Sequence, residues 1–241
     1  MKRVAISQSN YIPWKGYFDL IHDVDVFVFL DDVQFTKNDW RNRNKVKTPT
    51  GVQWLTIPVG DDLNRRICDV TLPDARWQSQ HWKTLRQLYA KAPFFGHYRK
   101  FLEHVYLERR WPTLSELNQT LIQWVARDVL RMSMTFRSAA EFSATGRKQD
   151  RVMSLLEALE AAVYVSGPAA KAYLDADRFT REGIELVWKE YSGYPEYRQF
   201  HPPFVHEVTI LDLLFHTGPD APYYVWAGRA AGVGLASAPA S

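Results

Sequence analysis

Gln8-Ser9-Asn10-Tyr11-Ile12-Pro13-Trp14-Lys15-Gly16 is the stretch on which the reading of this chain turns. A short apolar run, Val4 to Ile6, precedes it and the amphipathic Tyr17-Phe18-Asp19-Leu20-Ile21 follows it, so it reads as a strand-to-helix turn. Pro13 suits the first helical turn, where a missing N–H costs nothing. The next strong signal, Val24 to Leu30, is nearly continuous in apolar residues, as befits a central parallel strand, and ends in Asp31-Asp32. Strand, short helix and strand in that order form a right-handed βαβ unit whose two strands finish at one edge of the sheet. Gln8, Asn10, Asp31 and Asp32 are therefore expected close together. That edge is where α/β proteins bind ligands and where a helix N-terminus presents free N–H groups.

Further along, Lys37 to Lys45 is rich in cations, and Pro49-Thr50-Gly51 followed by the alternating Val52 to Ile57 predicts a β-hairpin. Arg41 and Arg43, spaced by two, share a face if the backbone there is extended. Helical spacing over Trp77–Lys91, Tyr98–Arg109 and Leu114–Leu130 predicts a helical insertion, about 77–131, that packs on the sheet or caps its edge. Strands at Met134–Phe136, Val163–Val165 and Ile184–Glu190, with a helix over Asp150–Ala161, restore the α/β alternation. Tyr194-Pro195, His201-Pro202-Pro203 and His206 mark an irregular loop. Thr209 then caps a short helix that Gly218-Pro219 stops. The expected fold is α/β, a mostly parallel Rossmann-like sheet in one domain, 1–228. A disordered tail, 229–241, rich in Ala, Gly, Ser and Pro, is expected after it.

With 241 residues, 46% of them apolar, the chain can bury a substantial core. A net charge of +3, from 30 basic and 27 acidic residues, does not point to a dedicated nucleic-acid binder. The single cysteine, Cys68, lies in Arg66–Leu72, which reads as a strand; with no intrachain disulfide possible, a reducing, cytoplasmic compartment is expected and the thiol reads as buried and inert. No secretory h-region and no run near eighteen apolar residues occurs, so neither secretion nor membrane spanning is indicated. Most of the many Trp, Tyr and Phe rings belong to a core, and some are expected to line a pocket.

Lys15, Arg41, Arg43 and Lys45 are candidates for a phosphate or carboxylate cradle, because guanidinium groups supply a bidentate fork; a solvated charge run is the plainer account. Trp14 and Trp40 beside them are placed to stack on a base or sugar. Ser166-Gly167-Pro168, a second strand-to-helix turn, could add N–H groups but matches neither a P-loop nor a dinucleotide fingerprint. Asp31 and Asp32 could hold Mg²⁺ or share a proton, or could pair with Arg41 or Arg43. Asp212 and His216, four apart on a helix, have the spacing of a general-base pair and equally of a helix-stabilising pair. A zinc site from His201, His206 and His216 would lack a Cys partner or a closed ligand set. Cofactor and metal requirements stay open.

Taken together, Gln8 to Phe18, Phe29 to Phe35, Trp40-Arg41-Asn42-Arg43, Tyr164 to Ala170 with Tyr173-Leu174, and Ile210 to Phe215 with Gly218 resemble the WbqC-like protein family over about residues 3–218. Tyr11 and Gln34, inside these segments, join the substrate-binding candidates. The resemblance implies an enzyme tied to bacterial surface-polysaccharide and O-antigen gene sets or to specialised-metabolite pathways, without a settled reaction. Such sequences often carry Asn where this one has His216, which favours Asp212 over the imidazole. A fainter likeness is to the nucleotidyl-transferring and pantothenate-synthetase-like α/β fold. Trp14-Lys15-Gly16-Tyr17 stands where that group has His-x-Gly-His, which speaks against adenylate chemistry and leaves anion binding.

The resulting expectation is a transferase that moves an acyl or aminoacyl group to an amino group, most plausibly on a nucleotide-linked sugar. Lys15, Arg41 and Arg43 would hold phosphate or carboxylate, Asp31, Asp32, Asp212 or His216 would handle the proton, and Gln8 and Asn10 would orient a carbonyl. The competing expectation is a binding module that recognises a nucleotide-sugar or an RNA end without turning it over.

Overall fold

Successive side chains of a strand point to opposite faces, and here that alternation divides one core into two. The computed structural model describes residues 1–72, 74–228 and 235–237. In chain order, β1 (Arg3–Ser7), α1 (Lys15–His22) and β2 (Val26–Phe29) are followed by a hairpin of β3 (Arg43–Thr48) and β4 (Gly51–Thr56). The helices α2 (Arg76–Tyr89), α3 (Phe95–Glu103) and α4 (Leu114–Gln123) come next, and α3 and α4 each run on into a wider π-type turn, His104–Glu108 and Trp124–Val129. Then come β5 (Thr135–Ser138), α5 (Gln149–Ala158), β6 (Val163–Ser166), α6 (Ala176–Arg181), β7 (Glu185–Lys189), α7 (Ile210–Thr217) and β8 (Leu235–Ser237).

The main sheet has the order β5-β2-β1-β6-β7-β8, parallel except for the antiparallel edge strand β8. Numbered among themselves, the five parallel strands lie in the order 3-2-1-4-5, that of a doubly wound Rossmann-like sheet. Ala5, Phe27, Phe29, Val163, Val165 and Val187 face one core, built with α1, the helices of the middle segment and α7. Their neighbours Val4, Val28, Tyr164, Leu186 and Trp188 face the other, under α5 and α6. The winding reverses between β1 and β6. In such sheets the crevice for a ligand opens there, beyond the carboxyl ends of the strands.

Two local expectations are corrected. Arg66–Leu72 is not a strand: it makes single bridges at Arg66 and Thr71 around a 3₁₀ turn, Ile67–Asp69, that leaves Cys68 partly exposed. Asp69 bonds the Arg66 guanidinium and so closes the segment into a turn. Arg41 is not on extended backbone either, because Asp39 takes its guanidinium and bends the chain before β3 begins. The tail expected from residue 229 lies outside the described residues except for β8. Among the described residues no helix is long and apolar enough to cross a membrane.

Candidate active site at the switch point of the sheet

The end of β1 and the end of β2 meet as the βαβ reading requires. Leu30 N–H donates to the Ser7 carbonyl at 2.9 Å, and the Ser9 N–H donates to Asp31 Oδ1 at 2.8 Å. Asp31 is nonetheless occupied from inside: its second oxygen accepts from the Ser115 hydroxyl and from Gln119 Nε2, both on α4. A carboxylate that accepts three hydrogen bonds ties the turn to the helical middle. Asp32 pairs with Arg151 on α5, so neither acid takes the expected partner, Arg41 or Arg43.

The turn itself is held under strain. Ile12 has φ of 37°, a left-handed conformation that a β-branched residue rarely adopts. Asn44 on β3 compensates by donating to the carbonyls of both Tyr11 and Ile12, at 3.0 and 2.9 Å. Tyr11 N–H donates to Trp40 O, and Asn118 on α4 donates to Arg41 O at 2.8 Å. The Tyr11 hydroxyl sits with His81 Nδ1 and the Tyr106 hydroxyl in a buried knot. Burial pushes the His81 imidazole down to about 4, so it is neutral. Tyr11 therefore anchors the turn from beneath.

Since Asn44 faces the turn, its strand neighbours Arg43 and Lys45 face away from it. The Arg43 guanidinium stacks 4.2 Å from the Trp54 ring centre, and Lys45 Nζ lies over both Trp54 and Trp40. Arg43 therefore lies on the face of the hairpin away from the Tyr11–Ile12 turn. Gln34 is elsewhere again, lining a cleft with Asn64, Arg65, Arg66 and Asp69. The residues that do gather at the switch point are fewer. Tyr17 donates its hydroxyl to Gln8 O at 2.9 Å, close enough to Asp31 and Arg41 to feel their charges. Gly167, beyond β6, leaves room for the Tyr191 hydroxyl, which an added Cβ would meet at 3.4 Å. Trp14 packs edge-on against Tyr191 and Tyr194 and lies over Gly16, where any side chain would collide with the indole.

Lys15 follows Trp14 and is 2% exposed. Two other lysines are equally buried, and the contrast between the three is informative. Lys189 carries two carboxylates, Asp19 and Asp23, and Lys47 donates to Pro203 O at 2.6 Å. Among the described residues, Lys15 Nζ reaches only Pro195 O, at 3.4 Å, and the faces of Tyr194, Tyr197 and Phe204, 4.9, 5.8 and 5.7 Å from their centres. Burial lowers this amine to about 8, against the pull of Glu196, Glu207, Asp19 and Asp212. A buried cation without a bonded counter-ion is costly, and such groups concentrate where a ligand supplies the missing charge.

Asp212 and His216 lie next to Tyr197, one of the rings around Lys15, and each is engaged by hydrogen bonds within the fold. Asp212 accepts from the hydroxyls of Tyr89 and Tyr197, at 2.8 and 2.6 Å, and from Gln199 at 2.9 Å. His216 Nδ1 lies 2.6 Å from Asp212 O, while its Nε2 accepts from Phe200 N–H at 3.3 Å. Nδ1 is therefore the donor, and both ring nitrogens are engaged. Among the described residues no group of three or more His, Cys, Asp or Glu is placed to hold a metal ion. Tyr194, Tyr197 and Phe204, the rings around Lys15, and His206, which packs on two of them, come from the irregular loop between β7 and α7. Sequence reading marked that segment only as irregular, although a long loop without secondary structure in a compact domain is itself a functional signal.

The profile of the WbqC-like protein family matches residues 8–224. A relative named "Uncharacterized protein Rv1507c", from Mycobacterium tuberculosis, is 40% identical over 227 residues, 93% of this chain and 98% of its own length. No solved structure matches.

Proposed function

This chain belongs to the WbqC-like protein family, and we propose that it is a cytoplasmic enzyme of bacterial surface-polysaccharide or specialised-metabolite biosynthesis. It transfers an acyl or aminoacyl group to an amino group on a nucleotide-linked sugar or a similar small molecule. The pathway rests on what the resemblance implies. The observation that carries the chemistry is Lys15, a buried amine left short of counter-charge beside the switch point of the sheet. In this reading Lys15 holds an anionic or carbonyl oxygen of the ligand. The Gln8 and Asn10 amides, beyond β1, orient the carbonyl under attack.

The proton released by the attacking amine goes to the departing group of the activated donor or to water, because Lys15 serves as the ammonium that holds the ligand. The acids first considered for that role, Asp31 and Asp212, already accept several hydrogen bonds each. Incubating the purified protein with a panel of nucleotide-linked amino sugars and activated acyl donors, read by mass spectrometry, tests the reading. A mass gain on one acceptor, lost in Lys15→Met, is expected; no gain on any acceptor discards it.

A second reading draws on the hairpin's outer face. Trp40 and Trp54, 40% and 38% exposed with their ring centres 5.4 Å apart, carry Arg43 and Lys45. Rings and cations together suit a nucleobase and its phosphate, as in a binding module for RNA or a nucleotide-sugar. RNA retention that falls steeply between low and high salt and is lost in Trp54→Ala supports it; retention indifferent to both counts against it.

A further inference from the structure

Lys15 shares its aromatic surroundings with a second polar group that the fold leaves unsatisfied. His206 Nδ1 is buried and has no hydrogen-bond partner among the described residues. The His206 ring packs on Phe204, 4.7 Å between centres, and on Tyr194 at 6.4 Å, the same two rings that flank Lys15. Burial and the neighbouring Lys15 cation both lower the imidazole's proton affinity, so it is neutral at physiological pH and can present Nδ1–H as a donor. Two donors against a shared aromatic wall match one planar acceptor with two oxygens.

The charges that surround the pair narrow the class of that acceptor. Exposed Glu196 and Glu207 act electrostatically on both Lys15 and His206, and buried Asp19 and Asp212 add further negative potential at Lys15. A phosphate dianion would be repelled by these carboxylates, whereas a monoanion meets less opposition. A ligand that carries its own cation beside the carboxylate would be drawn to Glu196 and Glu207. We propose that Lys15 and His206 form a carboxylate clamp, with Glu196 and Glu207 beside it receiving an ammonium group, so that the site takes a zwitterionic α-amino acid. This deepens the reading of Lys15 as a ligand-binding group and rests on it.

Thermal-shift screening of the twenty standard amino acids, with acetate, methylammonium and inorganic phosphate as controls, followed by calorimetry on any that stabilise, tests the proposal without requiring turnover. Stabilisation by at least one amino acid, and by none of the controls at equal concentration, is expected. Lys15→Met should abolish the effect. His206→Gln and the exposed Glu207→Gln, each removing one recognition element, should weaken affinity about tenfold or more while leaving the free protein's melting temperature close to the parent's. The proposal is overturned if no amino acid stabilises, if acetate or phosphate does so equally, or if both the His206 and Glu207 variants bind like the parent. Amino-acid binding without transfer to any amino sugar would discard the transferase and keep the clamp, and transfer without such binding would do the reverse.

Discussion

Replacing Lys15 by Met should make the protein more stable. The structure displaces the Lys15 proton equilibrium from its ordinary 10.5 down to about 8. Each power of ten is about 1.4 kcal/mol, so keeping the ammonium in the folded state near neutrality costs about 3 kcal/mol. Met has a similar shape and no charge. Against the gain stand the lost cation–π contacts and the long bond to Pro195, together about 1 kcal/mol. The net of about 2 kcal/mol corresponds to a melting temperature higher by about 4–8 °C for a chain of this size.

The gain must also depend on pH, with a definite sign. Between pH 8 and 10.5 the folded chain has released this proton and the unfolded chain still holds it, so parent stability rises through that window relative to Lys15→Met. Parallel thermal melts of the two proteins from pH 6.5 to 10 measure the difference. A variant that melts lower than the parent at pH 7, or a difference that stays flat from pH 8 to 10, would refute the claim that this amine is electrostatically short.

Other outcomes follow from named contacts. His81, neutral and held down to about 4 by burial, withholds in the folded state a proton that the unfolded chain binds below 6.5. Its contribution to stability should be lost as pH falls from 6.5 to 4, by about 3 kcal/mol, and urea titrations of the parent and His81→Gln should differ in slope across that window. Asn44→Ala removes both donors that hold the strained Tyr11–Ile12 turn and should cost about 2–4 kcal/mol in urea unfolding, more than the alanine variants of exposed Lys83 or Arg86. Asp212→Ala strands the hydroxyls of Tyr89 and Tyr197 and should lower the melting temperature even in the absence of ligand, as a structural knot requires. Gly16→Ala should displace the Trp14 indole, seen as a change in near-UV circular dichroism with the far-UV spectrum retained.

Much of this architecture was legible in the order of the residues. Val4–Ile6, Val24–Leu30 and Val163–Val165 are apolar on both faces, and strands buried on both faces in a parallel sheet must read that way. That the ends of β1 and β2 meet, as the Ser9–Asp31 bond shows, followed from topology alone, because parallel strands joined by a helix end at one edge. What sequence could not show was which polar groups the fold would spend on itself. Asp31 satisfies donors on α4, Asp32 pairs with Arg151, and Asp212 joins tyrosines far apart in the chain. Each partnership spans dozens of residues, and no local pattern announces it.

Arg43 was placed with the turn by its spacing from Arg41, but strand alternation around Asn44 turned it to the opposite face. Lys15 was visible as a cation at a helix start. Its shortage of counter-charge depends on a loop whose Tyr194, Tyr197, Phe204 and His206 carry no periodicity to read.

The state of the Lys15 amine is the quantity on which the assignment of the site stands, and it can be titrated in place. Trace labelling with acetic anhydride over a range of pH, with Lys15 acetylation quantified by peptide mass spectrometry against the exposed Lys83, reports its proton equilibrium. A midpoint near 8 for Lys15, well below the ordinary 10.5 of a lysine, is the predicted result. A midpoint at the ordinary 10.5 would mean that the surrounding rings neither dehydrate the amine nor leave it wanting an anion.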